Sequence, residues 1–415
     1  MFTAYSISLS ALSADSNAID AVGNDLANLN TTGYKATEVE FQDLMSQTIG
    51  TAGNGAQIGM GVAPVSTQAL YTQGTLTTTN GPTDAAIQGN GFFVVQNPST
   101  NQTLYTRDGS FQVNSSGTLV TQDGDAVQGW SAVNGVINSS GPVGNLTLPL
   151  GTVIPATATT TMSITANLDS SSAAGTQFSA PIQVIDSLGQ SHTLSVNFTQ
   201  TSANNWKYTV TIPSADLSSG GNNQIASGTM TFNSDGELTS PAQSSDPQNL
   251  TISGLADGAA DLKIAWSLFN SSGNSNITQY ATASGVGGTT QNGVAAGQIS
   301  NVSLQNGGLL VATYSNGQQS TVGQLALANI PNPDSLISVG NNELEASPET
   351  GGIAVGAANT GGLGQVVAGS LENSTVDIAT EFTNLLSYER SYQAASRVIT
   401  ATDQTIQDTL ALIQG

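Results

Sequence analysis

The chain has 415 residues, room for several domains, with a net charge of −22, six Lys and Arg in all, one His and no Cys. That balance excludes phosphate-backbone and anionic-lipid binding on electrostatic grounds, and the missing Cys excludes disulfide frameworks and thiolate metal sites. Charged residues make up only 8% against 38% hydrophobic, and the abundance of Gly, Ser, Thr, Asn and Gln suits short strands and tight turns.

The start, MFTAYSISLSALSADSN, has no basic region ahead of an apolar one, and Ser interrupts every apolar run. A cleaved signal peptide is therefore not expected, and no run approaches the ~18 apolar residues of a membrane span. From Phe2 to about Leu29, steps of three and four pick out Phe2, Tyr5, Leu9, Leu12, Ile19 and Leu26. The set Tyr5, Leu12, Ile19 and Leu26 is apolar at every seventh position, which predicts a helix with a heptad seam. Asn30, two Thr and Gly33 supply its stop signal.

Between the ends the chain reads as β-structure. GNGFFVVQ, TLYTRDGSFQVNSSGTLV and AVQGW form a meander pattern with Gly-centred turns, followed by IQVIDSLGQSHTLSVNF, NNWKYTVTI and GTMTFNSDGEL. No repeat of roughly 20 to 50 residues is visible. After Ser374 and Asp377, which resemble a capping box, a second and longer helix is predicted through Ile378, Phe382, Leu385, Tyr392, Ile399, Ile406, Leu410 and Ile413. Glu389, Ser396 and Asp403 interrupt its companion stripe.

The expected architecture is therefore mainly β with α-helical termini: a nested, multi-domain chain whose end helices pair as a coiled coil, with two β-rich domains inserted between them. The boundaries expected are 1–33 for the N-terminal helix, 34–70 for a linker, 71–145 and 285–360 for the two parts of an inner β-domain, 146–284 for an outer β-domain, and 361–415 for the C-terminal helical segment. Two helices alone bury too little apolar surface to offset their ordering entropy, so further copies of the chain are the expected partner. Polar stretches beside both helices predict that they project from the β-body.

Catalytic chemistry finds little support. His192 stands alone in LGQSHTLSV and reads as a solvent-facing structural residue, which with no Cys leaves no zinc set and no metal or cofactor expected. There is no phosphate loop and no nucleophile elbow. The turns at Asp123–Asp125 and Asn233–Glu237 read as hairpins rather than calcium loops. Glu372, Asp377 and Glu381 read as acids placed to suit a helix dipole, while Arg390 and Arg397 share a helix face as ion-pair or subunit-contact candidates.

Both ends resemble the rod and hook axial proteins of the bacterial flagellum. GNDLANLNTTGYKATEVEFQDL matches the family's helix-end motif at Asn24, Ala27, Asn28, Thr32, Gly33, Tyr34, Lys35 and Phe41, with Asp25 where Asn is more usual. The C-terminal segment matches at Asn373, Val376, Asp377, Glu381, Arg390, Tyr392, Ala394 and Asp403, with Glu389 where Gln is usual. TDAAIQGNGFFVV and YTRDGSFQVNSSGTLV are similar to the shared β-domain, and IDSLGQSHTLSVNF with NNWKYTV to the outer domain of hook members.

The resemblance implies a non-enzymatic, exported subunit of an extracellular homopolymer: a curved hollow tube carrying torque from rod to filament. It also implies distal rod, hook cap, hook–filament junction and export-apparatus partners, with no nucleic acid and no membrane insertion. A distal rod protein, or a β-rich adhesin or carbohydrate-acting protein, is the alternative.

Overall fold

The computed structural model describes the chain except Met1 and residues 45–46, 50–55, 64–65, 134, 150 and 415, together with the side chains of 2–3, 47–49, 56–58 and 412–414. The expected seam residues Phe2 and Ile413 thus lie on helices, with side chains outside the described set. The chain divides into two compact units: Met1–Leu150, Asn301–Ala312 and Gln319–Gly415 form the first, and Gly151–Ser300 with Thr313–Gln318 the second.

In the second unit, strands Gln177–Ile185, Ser191–Ser202, Asn205–Thr211, Gln224–Phe232 and Leu238–Ser240 form an antiparallel meander. A second sheet is built on Thr161–Asp169, paired in parallel with Leu262–Ser267 and Ile277–Tyr280 and antiparallel with Gly285–Gln291. Strict alternation places Ile164, Leu168, Val184, Leu194, Phe198, Trp206 and Trp266 in one core. This unit runs to Ser300 rather than to the expected 284, because Gly285–Gln291 is a strand of this unit's own sheet, paired with Thr161–Asp169.

In the first unit, Phe92–Gln96 lies between Thr103–Thr106 and Ala126–Val133, and the sheet continues through Gln319–Leu325 on one side and Glu343–Glu345 on the other. Both faces of this sheet are covered. Phe93 and Val95 enter a core with Ile87, Leu119, Leu146 and Leu327, while Phe92 and Val94 pack with Tyr105, Ala328 and Ile330 on the opposite face. That two-sided burial is the reason GFFVV is continuously apolar instead of alternating.

Helix α1 (Phe2–Ala27) packs along helix α2 (Ile378–Gln414). The pair is antiparallel: Ala4 shares a groove with Arg397–Thr405, while the α1 end at Asp25 lies near Glu381 at the start of α2. Since α2 has 37 residues and α1 only 26, roughly 16 Å of α2 has no α1 length to match, at about 1.5 Å per residue. Asp377 caps α2, its Oδ1 accepting from Thr380 N at 2.8 Å, so the cap falls three residues after the expected Ser374.

Part of the segment expected as a linker (34–70) is instead paired, and further strands join the two chain ends. Thr37–Glu40 is antiparallel to Ser66–Ala69, Leu76–Thr78 to Ser370–Glu372, and Ala85–Gln88 to Gln365–Ala368. The chain leaving α1 and the chain approaching α2 are stitched together before either reaches its helix.

Candidate functional site

The segment between α1 and the body is organised around one buried carboxylate. Glu372 ends strand Ser370–Glu372 with no exposed surface, and its Oε1 accepts from Lys35 Nζ at 2.6 Å and from Gly74 N at 2.8 Å. Its Oε2 accepts from Arg107 Nη1 at 3.3 Å, and its main-chain oxygen accepts from Gly33 N at 2.8 Å. Lys35 also donates to Thr72 O at 2.6 Å, and Arg107 to Gly89 O at 2.9 Å. Burial lowers the pKa of both cations, and the Glu372 charge opposes that shift. Two cations and one carboxylate, each with additional hydrogen bonds, make a network that holds only while complete.

A second node faces α1. Asp25, fully buried, accepts from Tyr34 OH on Oδ1 at 2.7 Å and from Thr37 N on Oδ2 at 2.8 Å. Asn24 Nδ2 donates to Tyr34 OH at 3.0 Å, and Asn28 Nδ2 to Asn24 O at 2.9 Å. Burial first, then the Asp25 hydrogen bond and charge, push the Tyr34 hydroxyl pKa upward, so it stays a donor. An Asn at position 25 would offer one acceptor where the carboxylate offers two, which explains how this chain uses its Asp.

Gly33 joins the two nodes. Its φ is +70°, and a Cβ there would lie 2.8 Å from the Arg107 carbonyl carbon and from Asp108 N. Gly33→Ala should therefore destabilise the first unit by about 1–3 kcal/mol, combining left-handed strain with a backbone clash, as measured by the denaturant midpoint.

The helices present two kinds of face. On α1 the buried positions are Ser8, Ala14, Asp15, Ala18, Val22 and Asp25, small residues that allow close approach of α2, of strand Thr37–Glu40 and of the segment at Gly61. The sevenfold set Leu12, Ile19 and Leu26 sits half-buried on the shoulder, with Tyr5 and Leu9 exposed. On α2, Leu385, Ile399 and Ile406 are half-buried and Glu381 is buried, whereas Ile378, Phe382, Leu386, Tyr392, Val398 and Leu410 are exposed. Phe41 stacks obliquely on Tyr388 with ring centres 5.7 Å apart.

Family models match four stretches in chain order. These are the flagella basal body rod protein model over 6–35, the flagellar hook protein FlgE/F/G D1 domain over 86–167, the flagellar basal body protein FlaE D2 domain over 153–294, and the flagellar basal body rod FlgEFG protein C-terminal model over 367–412. The chain is 32% identical to flagellar hook protein FlgE of Treponema pallidum, covering 95% of this chain and 96% of that one. It is 31% identical to flagellar hook protein FlgE of Escherichia coli (97% and 98%) and 30% identical to that of Borreliella burgdorferi (95% and 96%). The chain belongs to the flagellar hook protein family. These relatives are structural hook proteins, and none of the matched models describes a catalytic domain.

Within this hook-family chain, the structure gathers Asn24, Asn28, Gly33, Tyr34 and Lys35 around Asp25, Arg107 and Glu372, and sets Asp377 at the cap of α2. Glu372 is the residue whose role sequence reasoning missed. Expected just before the helix to suit its dipole, it ends a strand there and serves two cations instead. Its only advance signal was that Lys35 and Arg107 are two of just six basic residues. Leu386 and Val398 were also missed, because they fall off the sevenfold register. Arg390 and Arg397 make no ion pair among the described residues and face outward.

His192 is buried, contrary to the expectation of a solvent-facing ring. Its Nε2 lies 2.9 Å from Asp186 Oδ2 and its Nδ1 3.2 Å from Asp216 Oδ2, with Asp257 Oδ2 3.9 Å from Nε2. The turn Asp186–Gln190 folds so that Asp186 Oδ1 accepts from Leu188 N and Gln190 N, aiming Oδ2 at the ring. Burial alone would lower the His192 pKa, but Asp186 and Asp216 outweigh it and the net shift is upward. The pairing therefore stabilises the second unit below the ordinary His range and is lost as pH rises through the elevated pKa. Hydrogen exchange at Gln177–Ile185 and Ser191–Ser202 should accelerate, after correction for intrinsic rates, from pH 6 to 9 in the native chain (about the His titration range). It should change far less in His192→Gln.

Proposed function

We propose that this chain is a structural subunit of the bacterial flagellar hook, polymerising outside the cell into a curved hollow tube that transmits torque from rod to filament. The observation that carries this reading is the exposed apolar series on α2. Phe382, Leu386 and Leu410 are each more than half exposed, with Ile378 and Val398 close behind, on a helix that outruns the helix α1 packed along it. Such a series costs free energy in a lone chain and is covered when like helices pack beside it.

The paired strands and the Glu372 network support a role in which load on the helices passes into the β-body through many small contacts. Low charge density in the second unit leaves few ion pairs to lock one register between neighbours, which suits contacts that slide as a curved tube rotates. The partners that go with this reading are other copies of the chain, the distal rod, the hook cap, the hook–filament junction proteins and the export apparatus. The test is electron microscopy of the purified full chain as concentration or salt is raised. Curved tubes are expected, straight rigid rods would favour the distal rod alternative, and a persistent monomer would overturn the reading.

A further inference from the structure

The turn Asp186–Gln190 joins strands Gln177–Ile185 and Ser191–Ser202 of the meander, and two other loops of the second unit are laced to its surroundings. Ala260 N donates to Ser187 Oγ at 3.0 Å, and Ala256 N to the main-chain oxygen of Asp216 at 3.0 Å. These bonds hold Asp257, in the loop before strand Leu262–Ser267 of the second sheet, and Asp216, in the short turn Ser214–Asp216, on either side of His192.

Two of the acids each anchor one oxygen on the main chain and leave the other for the ring. Asp186 Oδ1 accepts from Leu188 N and Gln190 N, and Asp257 Oδ1 from Ala259 N at 3.0 Å. Asp186 Oδ2 and Asp257 Oδ2 stand 2.9 and 3.9 Å from His192 Nε2, and the three atoms all lie within 4.8 Å of one another. Tetrahedral zinc, with bonds of about 2.0–2.1 Å, keeps its ligand atoms roughly 3.3 Å apart, so shifts of about 1 Å or less would seat an ion among them. The His192 side chain is 5% exposed, and its Nδ1 has no hydrogen-bond partner although Asp216 Oδ2 is 3.2 Å away. An imidazolium supplies a single positive charge against three carboxylates, and no Lys or Arg among the described residues forms an ion pair with any of them. A neutral ring with its proton toward Asp216 would turn the Nε2 lone pair on two carboxylate oxygens, a conflict that a cation between them removes.

We propose that His192 Nε2, Asp186 Oδ2 and Asp257 Oδ2 bind a divalent transition-metal ion of zinc's borderline character, with solvent completing its coordination. One imidazole nitrogen beside two carboxylates suits such an ion better than calcium, which takes about six to eight oxygens. Counting His and Cys alone hides the set, because two of its three ligands are acids from separate turns. The Asp257 side chain keeps 29% of its surface exposed, which gives the ion a way in. Once bound, the ion clips the hairpin turn of the meander to the loop that enters the second sheet, fastening the two sheets of this unit to each other. Asp216 is a positioning residue: facing Nδ1, it favours the tautomer that leaves Nε2 free for the metal.

The experiment is calorimetric titration of zinc chloride into the chelator-treated full chain at about pH 8, where protons compete weakly for the ligands, with hydrogen exchange before and after. Saturation at one ion per chain is expected, with exchange slowed at 186–192 and 255–259 together. D257N alters a ligand at a partly exposed turn position that folding tolerates, and is expected to weaken zinc binding more than about tenfold, the least that losing even an outer partner of a ligand costs. D235N, in the exposed acidic turn Asn233–Glu237, is expected to bind as the native chain does. The absence of saturable binding, binding that D257N leaves unchanged, or an equal loss in D235N overturns the proposal. So does calcium chloride binding as tightly as zinc chloride, because the imidazole would then not be a ligand.

Discussion

Glu372→Gln should destabilise the first unit by about 3–5 kcal/mol, the range for removing one partner from a buried ion pair. The amide cannot neutralise Lys35 and Arg107, both nearly buried, and one of its two terminal atoms becomes a donor facing donors. The loss should concentrate where the strands converge. Hydrogen exchange at 33–37 and 370–376 should rise well before the body at Phe92–Gln96 responds. Lys35→Met combined with Glu372→Gln should cost less than the sum of the single changes, since the second substitution removes one of the stranded charges. Additive costs, or unchanged protection at 33–37, would show that Glu372 does not hold the junction. Trp130 is the only Trp of the first unit, so its fluorescence, read in a background with Trp206 and Trp266 replaced by Phe, separates this loss from events in the second unit.

Phe382→Asp with Leu410→Asp should abolish assembly at concentrations where the native chain forms tubes, and leave the dilute chain almost as stable as before. Both side chains are more than half exposed in the single chain, so their replacement should shift its stability by no more than about 0.5 kcal/mol per site. Covered in a polymer, each contributes about 1.5–3 kcal/mol. Losing both raises the critical concentration by roughly two to four orders of magnitude, at 1.4 kcal/mol per factor of ten. Sedimentation and electron microscopy report the assembly, and circular dichroism the helices. The contrasting variant is Ala18→Asp, at a fully buried position of α1, which should unfold the helix pair itself. Tubes formed normally by the first variant would mean that this series on α2 is not the assembly face.

Local periodicity was enough to find both helices nearly to the residue: α1 expected from Phe2 to about Leu29 ends at Ala27, and α2 begins at Ile378 as expected. The β-body was legible for the same reason, with alternation in Ser191–Ser202 and Asn205–Thr211 marking half-buried strands. The motif residues from Asn24 to Lys35 were also recognisable as a group. Their use was not. The break at NTTGYK was expected to free the helix from the body, whereas Gly33 packs on Arg107 and Lys35 is held by Glu372, 337 residues away in sequence.

The amino-acid order by itself determined the fold class, the nested arrangement and the apolar stripes, because helix and strand periods of 3.6 and 2 are written in neighbouring residues. Only the tertiary structure decided which acid meets which base and which face of each helix is taken. Glu372 and His192 each look like ordinary polar residues until the fold brings Lys35 and Arg107, or Asp186 and Asp216, against them. Their chemistry depends on burial and on partners across space, and neither quantity has a short-range signature in the chain.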